Sequence, residues 1–246
     1  MSEPAGPEGL SITDARRARE AAAAARLSHD RPRPVVAGSI GLLGGTFDPV
    51  HLGHLALAEE AREALGLERV LFVPAGLPPH KPDQPISAPA HRLAMVELAV
   101  ADNPAFGVST VEIERSGPSY TVDTVERVAD SLRESGATPD LTFILSAEAF
   151  GQLLSWRQPH RLLSLCRMAV SPREGYRMPT LAWLEEHFPG QEDRVVFLDG
   201  PHLGHSASDI RRRVAQGRSI RYHVPPAVAA YIADHHLYTD DLWRKN

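Results

Sequence analysis

The sequence predicts an α/β fold: a doubly wound, mainly parallel sheet with helices on both faces. Three observations predict it. From residue 39 onward, short apolar runs alternate with helical stretches, the order that builds a parallel sheet through helical crossovers. Most of these runs are compact rather than alternating, as strands covered on both faces are. The first run ends in Gly44-Gly45 directly ahead of a helix pattern, the place where open parallel sheets receive ligands. Right-handed crossovers leave few other windings for such a chain.

In chain order the strands fall at 39–43 (SIGLL), 70–74 (VLFVP), 106–113, where apolar and polar residues alternate, 141–145 (LTFIL), 168–170 and 195–198. Helical patterns fill the intervals at 52–65, 90–102, 120–135, 148–156, 159–165, 180–188, 206–216 and 226–237. Ser119 or Thr121 suits the cap of 120–135, and Ser206 or Ser208 that of 206–216. The stretch 74–89 carries Pro78, Pro79, Pro82, Pro85 and Pro89 and reads as an ordered functional loop rather than a domain boundary. No repeat or internal linker interrupts 39–246, which is expected to form a single domain.

Residues 1–38 have a different character. They hold the run Ala21–Ala25, the cluster Arg16, Arg17 and Arg19, and Arg31-Pro32-Arg33-Pro34, with no large apolar face. A mostly disordered extension with a frayed helix over 13–27 is expected. Five alanines make too weak a core for a signal peptide, and Glu3, Glu8, Asp14 and Glu20 argue against a transit peptide.

Composition excludes several classes. Of 246 residues, 43% are hydrophobic and 23% charged, ordinary for a soluble globular protein. No stretch of 18 apolar residues exists, which argues against a transmembrane helix and a membrane partner. The single cysteine, Cys166, excludes an intramolecular disulfide and a cysteine-based zinc cluster, and fits the cytoplasm. A net charge of −5 offers no basic field for nucleic acid. Lysine is nearly absent: only Lys81 and Lys245 occur, which singles out Lys81.

The most informative segment is Gly44-Gly45-Thr46-Phe47-Asp48-Pro49-Val50-His51-Leu52-Gly53-His54. The glycines allow a sharp turn and a close approach to a ligand. The helix that follows presents its amino end to phosphate. His51 and His54, three residues apart, share one helix face. Gly53 between them leaves room for a bulky ligand. Two imidazoles can hydrogen-bond phosphate oxygens and, when protonated, offset developing negative charge. Neither the GxxxxGK[ST] loop nor the GxGxxG fingerprint is present, which argues against a kinase or a dehydrogenase.

This segment resembles the signature of the H-x-G-H nucleotidyltransferase superfamily, and the full string GGTFDPVHLGH is similar to its nicotinate-nucleotide adenylyltransferase branch. The resemblance spans about 39–240. It implies a Rossmann-like fold and adenylyl transfer from ATP to nicotinate mononucleotide, giving deamido-NAD and pyrophosphate. It also implies Mg²⁺ held mainly by substrate phosphates and water, with no dedicated protein metal site. His51, His54 and Arg211 carry the catalysis under this resemblance. Gly44, Gly45, Thr46 and Phe47 bind ATP.

The remaining segments follow the same branch with departures. His205-Ser206-Ala207-Ser208-Asp209-Ile210-Arg211 is similar to its I-S-S-T-x-x-R element for the ATP β- and γ-phosphates. Ser206 and Arg211 match. Ala207, Ser208 and His205 replace serine, threonine and isoleucine. Lys81, in a Pro-Pro-His-Lys loop like the branch's own, is assigned to acceptor binding beside the leaving group. Tyr120 and Thr121, in a segment similar to S-Y-T-x-D-T, are implied to receive the pyridine carboxylate. Trp156 offers a stacking face for the ring. The strand ending in Ser146, followed by Glu148, departs most, since the branch has glycine and aspartate there on the ATP side. Arg173, in a segment resembling the branch's R-P-G-Y turn, has a minor nucleotide-binding role. The segment from Arg221 to Tyr238 is expected to close the fold rather than do chemistry. At this point two alternatives stay open: a related adenylyl- or cytidylyltransferase with another phosphate acceptor, and a non-catalytic nucleotide-binding sensor. Oligomeric state is not encoded in any of these patterns.

Overall fold

A computed structural model of the chain describes residues 34–78, 85–201 and 204–243. The first strand, β1, runs Val36–Gly45, three residues earlier than its apolar core suggests. Helix α1 follows at Leu52–Leu65 and stops at Gly66, whose φ of 64° lets its N–H turn back to the carbonyls of Arg62 and Glu63. Next come β2 (Leu67–Pro74), α2 (Pro89–Val100), β3 (Phe106–Val108), α3 (Thr121–Glu134) and β4 (Asp140–Ser146). The second half holds α4 (Ala147–Phe150), α5 (Pro159–Leu165), β5 (Arg167–Ser171), α6 (Leu181–His187), β6 (Val195–Phe197), α7 (Ala207–Ala215) and α8 (Pro226–Asp234). A final 3₁₀ turn covers Asp241–Trp243.

The six described strands form one all-parallel sheet in the order β3-β2-β1-β4-β5-β6. The chain winds outward from β1 through β2 to β3, then restarts on the other side of β1 with β4. That reversal opens a crevice beyond the carboxyl ends of β1 and β4. Strand residues alternate between two cores. Leu43 and Ile144 face Ala58 and Ala61 of α1, Met95 of α2 and Val228 of α8. Ile40, Leu42, Leu141, Phe143 and Leu145 face Val122 and Val125 of α3 and Leu162 and Leu163 of α5. Both sets are apolar because both faces are covered, hence the compact runs. Among the described residues no helix is long and apolar enough to cross a membrane.

Two expected elements depart most from their patterns. The strand expected over 106–113 ends at Val108, and the chain then turns, with the Glu114 amide donating to the Thr110 carbonyl. Glu112 is buried there instead of exposed, because its carboxyl accepts the Thr124 hydroxyl at 2.7 Å. The helix expected over 148–156 breaks at Gly151 into α4 and a 3₁₀ turn, Leu153–Ser155.

Candidate active site

The crevice is a cavity of about 480 Å³, within the usual range for small-molecule sites. Gly44, Gly45 and Thr46 line it from the end of β1, and Ser146 and Glu148 from the end of β4. His51 and His54 enter from α1, Thr121 from α3, Trp156 from the turn after α4, and Ser206, Ser208 and Arg211 from α7. Residues far apart in sequence thus meet at one switch point. Phe47 and Tyr120 do not line this cavity, and Lys81 lies outside the described residues, as does most of the expected extension 1–38.

Phe47 has a supporting place. It is 2% exposed, adopts a left-handed φ of 52°, and packs edge-on against His54 with ring centroids 4.9 Å apart. Such a conformation costs a bulky residue about 1–2 kcal/mol, so packing must hold it. Gly45 makes this fold-back possible: a Cβ there would lie 2.9 Å from the Phe47 ring. The left-handed turn thus sits at Phe47 rather than at the glycines.

His51 caps α1 and His54 sits in its first turn. Their rings stack at 3.6 Å, 15° from parallel. The His51 N–H donates to His54 Nδ1 at 3.2 Å. With Nδ1 accepting, the His54 proton sits on Nε2. Burial, then the neighbouring His54, His205 and Arg173, hold the His51 imidazole far below the ordinary histidine pKa. It is a neutral hydrogen-bonding group, not a cation. Gly53 lines the cavity and also makes space for its neighbours. A Cβ there would lie 3.1 Å from both His205 Cβ and His51 Nδ1. The amino end of α1 is partly occupied already, since the Leu52 amide donates to the His223 carbonyl at 3.0 Å.

Ser206, not Ser208, caps α7, its hydroxyl accepting the Asp209 amide. Ser208 Oγ accepts from Arg211 Nη2 at 3.1 Å, and Arg211 Nη1 donates to the Asp48 carbonyl at 2.7 Å. Arg211 is 9% exposed, and burial lowers its pKa from the ordinary guanidinium value. Glu148 accepts the Tyr176 hydroxyl at 3.1 Å and lies 3.6 Å from Arg173 Nε. Arg173 in turn donates to the His205 carbonyl. The longer acid at this position is therefore held in a network on the rim.

On the other side, Ser119 does not cap α3. Its hydroxyl accepts the amides of Gly76 and Leu77, tying the loop after β2 to the start of α3. The N-cap is Tyr120, with no side-chain cap bond, and its ring lies under Arg157 at 4.9 Å. Trp156 is half-buried and edge-on to Phe143 at 6.1 Å. Glu112 also lines the cavity, and burial raises its carboxyl pKa.

Sequence reasoning missed several residues that shape the site. Arg92 is 1% exposed and donates to the carbonyls of Thr46, Gly76 and Ser87, joining the loops after β1 and β2. Its signal was legible: an arginine in helical register with apolar Met95, Val96 and Ala99 is a buried charge that needs partners. Asp48 accepts the Tyr238 hydroxyl at 2.6 Å and the Ser87 amide at 3.1 Å. His205 lies 5.9 Å from His51 ring to ring and lines the cavity. No local pattern marks Asp48 and His205 apart from their neighbours.

An open parallel sheet whose switch point gathers imidazoles, a buried arginine and a serine-capped helix defines an α/β nucleotide-binding protein of the phosphate-transfer type. The chain belongs to the cytidylyltransferase-like family, whose model matches residues 42–213. A Roseiflexus sp. (strain RS-1) protein named "probable nicotinate-nucleotide adenylyltransferase" is 50% identical over 199 residues, covering 81% of this chain and 97% of the relative. A Thermomicrobium roseum protein of the same name is 45% identical, with 81% and 91% covered. The nicotinic acid mononucleotide adenylyltransferase of Plasmodium falciparum, solved in complex with NaAD, shares the fold. It has a TM-score of 0.67 at 16% identity and covers 83% of this chain and 98% of that one.

Proposed function

We propose that this chain transfers the adenylyl group of ATP to nicotinate mononucleotide, giving deamido-NAD and pyrophosphate. The carrying observation is the convergence of the stacked His51–His54 pair and buried Arg211 on one cavity that also reaches the start of α3. The names of the relatives support the same reaction. An oxygen of the acceptor phosphate attacks the ATP α-phosphorus in line. The bond to the bridging β-oxygen breaks, and pyrophosphate leaves with that electron pair. His54 Nε2–H and neutral His51 act as positioned hydrogen-bond partners of the transferring phosphate. Arg211 and the amino end of α7 receive the leaving pyrophosphate. The Ser206 and Ser208 hydroxyls each already accept one bond, so their protons remain to be donated to phosphate. Lys81, outside the described residues, is assigned to acceptor binding by the resemblance of its Pro-Pro-His-Lys segment alone. A reducing cytoplasm suits a chain whose one cysteine is buried.

The donor set fits Mg²⁺ carried in on the phosphates. The lining holds imidazoles, guanidinium groups, helix amino ends and the separate carboxylates of Glu112 and Glu148, and among the described residues no group of three His, Cys, Asp or Glu is arranged to hold an ion. Bound there, the ion neutralises polyphosphate charge.

The start of α3 decides the acceptor. Thr121 lines the cavity at a helix amino end, which favours a ring carboxylate over a neutral amide. Burial of Glu112 opposes a competing negative charge on its carboxyl. A charge-assisted hydrogen bond is worth roughly 1.5–3 kcal/mol, so kcat/KM should favour nicotinate mononucleotide over nicotinamide mononucleotide by at least about tenfold. Pyrophosphate release, measured with each acceptor and ATP, tests both levels. Release with neither acceptor overturns the reaction. Equal release with both overturns only the carboxylate pocket.

A further inference from the structure

Arg211 has unusual surroundings for a buried cation. Its direct contacts are a carbonyl, a hydroxyl and an aromatic face: Asp48 O, Ser208 Oγ and the Trp243 ring, whose centroid lies 4.8 Å from the guanidinium carbon; the Asp48 carboxylate supports its charge without pairing with it. Its Nε is buried with no partner. A buried guanidinium normally needs a counter-charge. A paired carboxylate would cancel the charge an incoming polyphosphate needs and would have to be displaced. A π face stabilises the cation without neutralising it. Trp243 itself is 7% exposed and meets Tyr238 edge-on at 5.4 Å. The Tyr238 hydroxyl holds Asp48 Oδ1 at 2.6 Å, while the Asp48 carbonyl holds Arg211 at 2.7 Å. The segment after α8 therefore grips the arginine twice, directly through Trp243 and indirectly through Tyr238 and Asp48.

We propose that Trp243 is a positioning residue for adenylyl transfer, keeping Arg211 flat, buried and still positively charged at the polyphosphate end of the cavity. This rests on the assignment of Arg211 to the leaving pyrophosphate. The role belongs to the aromatic face, not to bulk alone, so two substitutions separate them. Trp243→Leu keeps apolar volume and loses the face; Trp243→Phe keeps a smaller face. Steady-state kinetics on the full chain should show KM for ATP raised about five- to thirtyfold in Trp243→Leu, the range of a desolvated cation–π contact. In Trp243→Phe the rise should stay within about threefold, and KM for nicotinate mononucleotide should move less than about twofold in both. Melting temperatures of the two variants should fall by similar amounts, since both leave a cavity. In an Arg211→Ala background, Trp243→Leu should add nothing further. If Leu and Phe raise KM for ATP equally, or if both substrates weaken together, the positioning role is overturned. If Arg211→Ala alone leaves KM for ATP unchanged, the assignment of Arg211 falls, and this inference falls with it.

Discussion

At the scale of single residues, burial sets the character of the groups at the site. His51 shows the energetic consequence. Its folded-state pKa is depressed by burial and by the neighbouring His54, His205 and Arg173, while in the unfolded chain it titrates near the ordinary 6.5. Below that value the unfolded state takes up a proton that the folded state refuses. The stability His51 lends is therefore complete above pH 6.5 and is lost as pH falls below it. One such proton amounts to about 1.4 kcal/mol between pH 7.5 and 5.5. Asparagine keeps a good cap at this position and cannot titrate. Denaturant melts of the parent and His51→Asn at both pH values should show the parent losing that much more stability. Equal losses would mean that His51 accepts its proton in the folded protein.

At the scale of elements, the first turn of α1 is a packing problem solved by a missing side chain. Gly53 should be an unfavourable helix residue, and alanine there ought to help by about 1 kcal/mol on propensity alone. The added methyl would nonetheless meet His205 and His51 at 3.1 Å, so the imidazoles must shift by a few tenths of an ångström. Catalytic geometry is less tolerant than stability. Gly53→Ala should therefore keep its melting temperature within about 4 °C of the parent while kcat/KM falls about tenfold or more. An unchanged kcat/KM would show that the ring positions are not set by this contact.

At the scale of the whole molecule, the described residues of 34–243 supply a complete sheet, two cores and the cavity. Residues 1–33 contain no large apolar face in their sequence. We propose that they are dispensable for folding and catalysis. Removing residues 1–33, just ahead of β1, should leave activity within about twofold and stability within about 0.5 kcal/mol, the range of changes that remove no core contact. A large loss in either measurement would assign the extension a packing or binding role.

How much could be read in advance depended on whether a signal was local. Strands β1, β2, β4 and β5 and helices α1, α5 and α7 follow from compact apolar runs, helical periodicity and serine caps, all of which act over a few residues. The H-x-G-H spacing placed His51 and His54 on one helix face, and the Gly-Gly turn placed that face at a ligand crevice. Where burial overruled alternation, the sequence misled: the expected strand ends at Val108, and Glu112 beyond it is buried because Thr124, twelve residues on, satisfies its carboxyl. Ser119, one of two residues suited to cap α3, instead serves Gly76 and Leu77, partners about forty residues away. Arg92 gathers three carbonyls from separate loops, Gly53 is small because His205 arrives beside it, and Trp243 stands over Arg211 across the chain. The sequence by itself determined the winding of the sheet and the chemistry gathered at its switch point. Only the tertiary structure decided which groups stay neutral, which carbonyls quench the buried guanidinium of Arg92, and what holds Arg211 in place. Those outcomes depend on burial and on hydrogen-bond partners distant in sequence, and no local pattern encodes either.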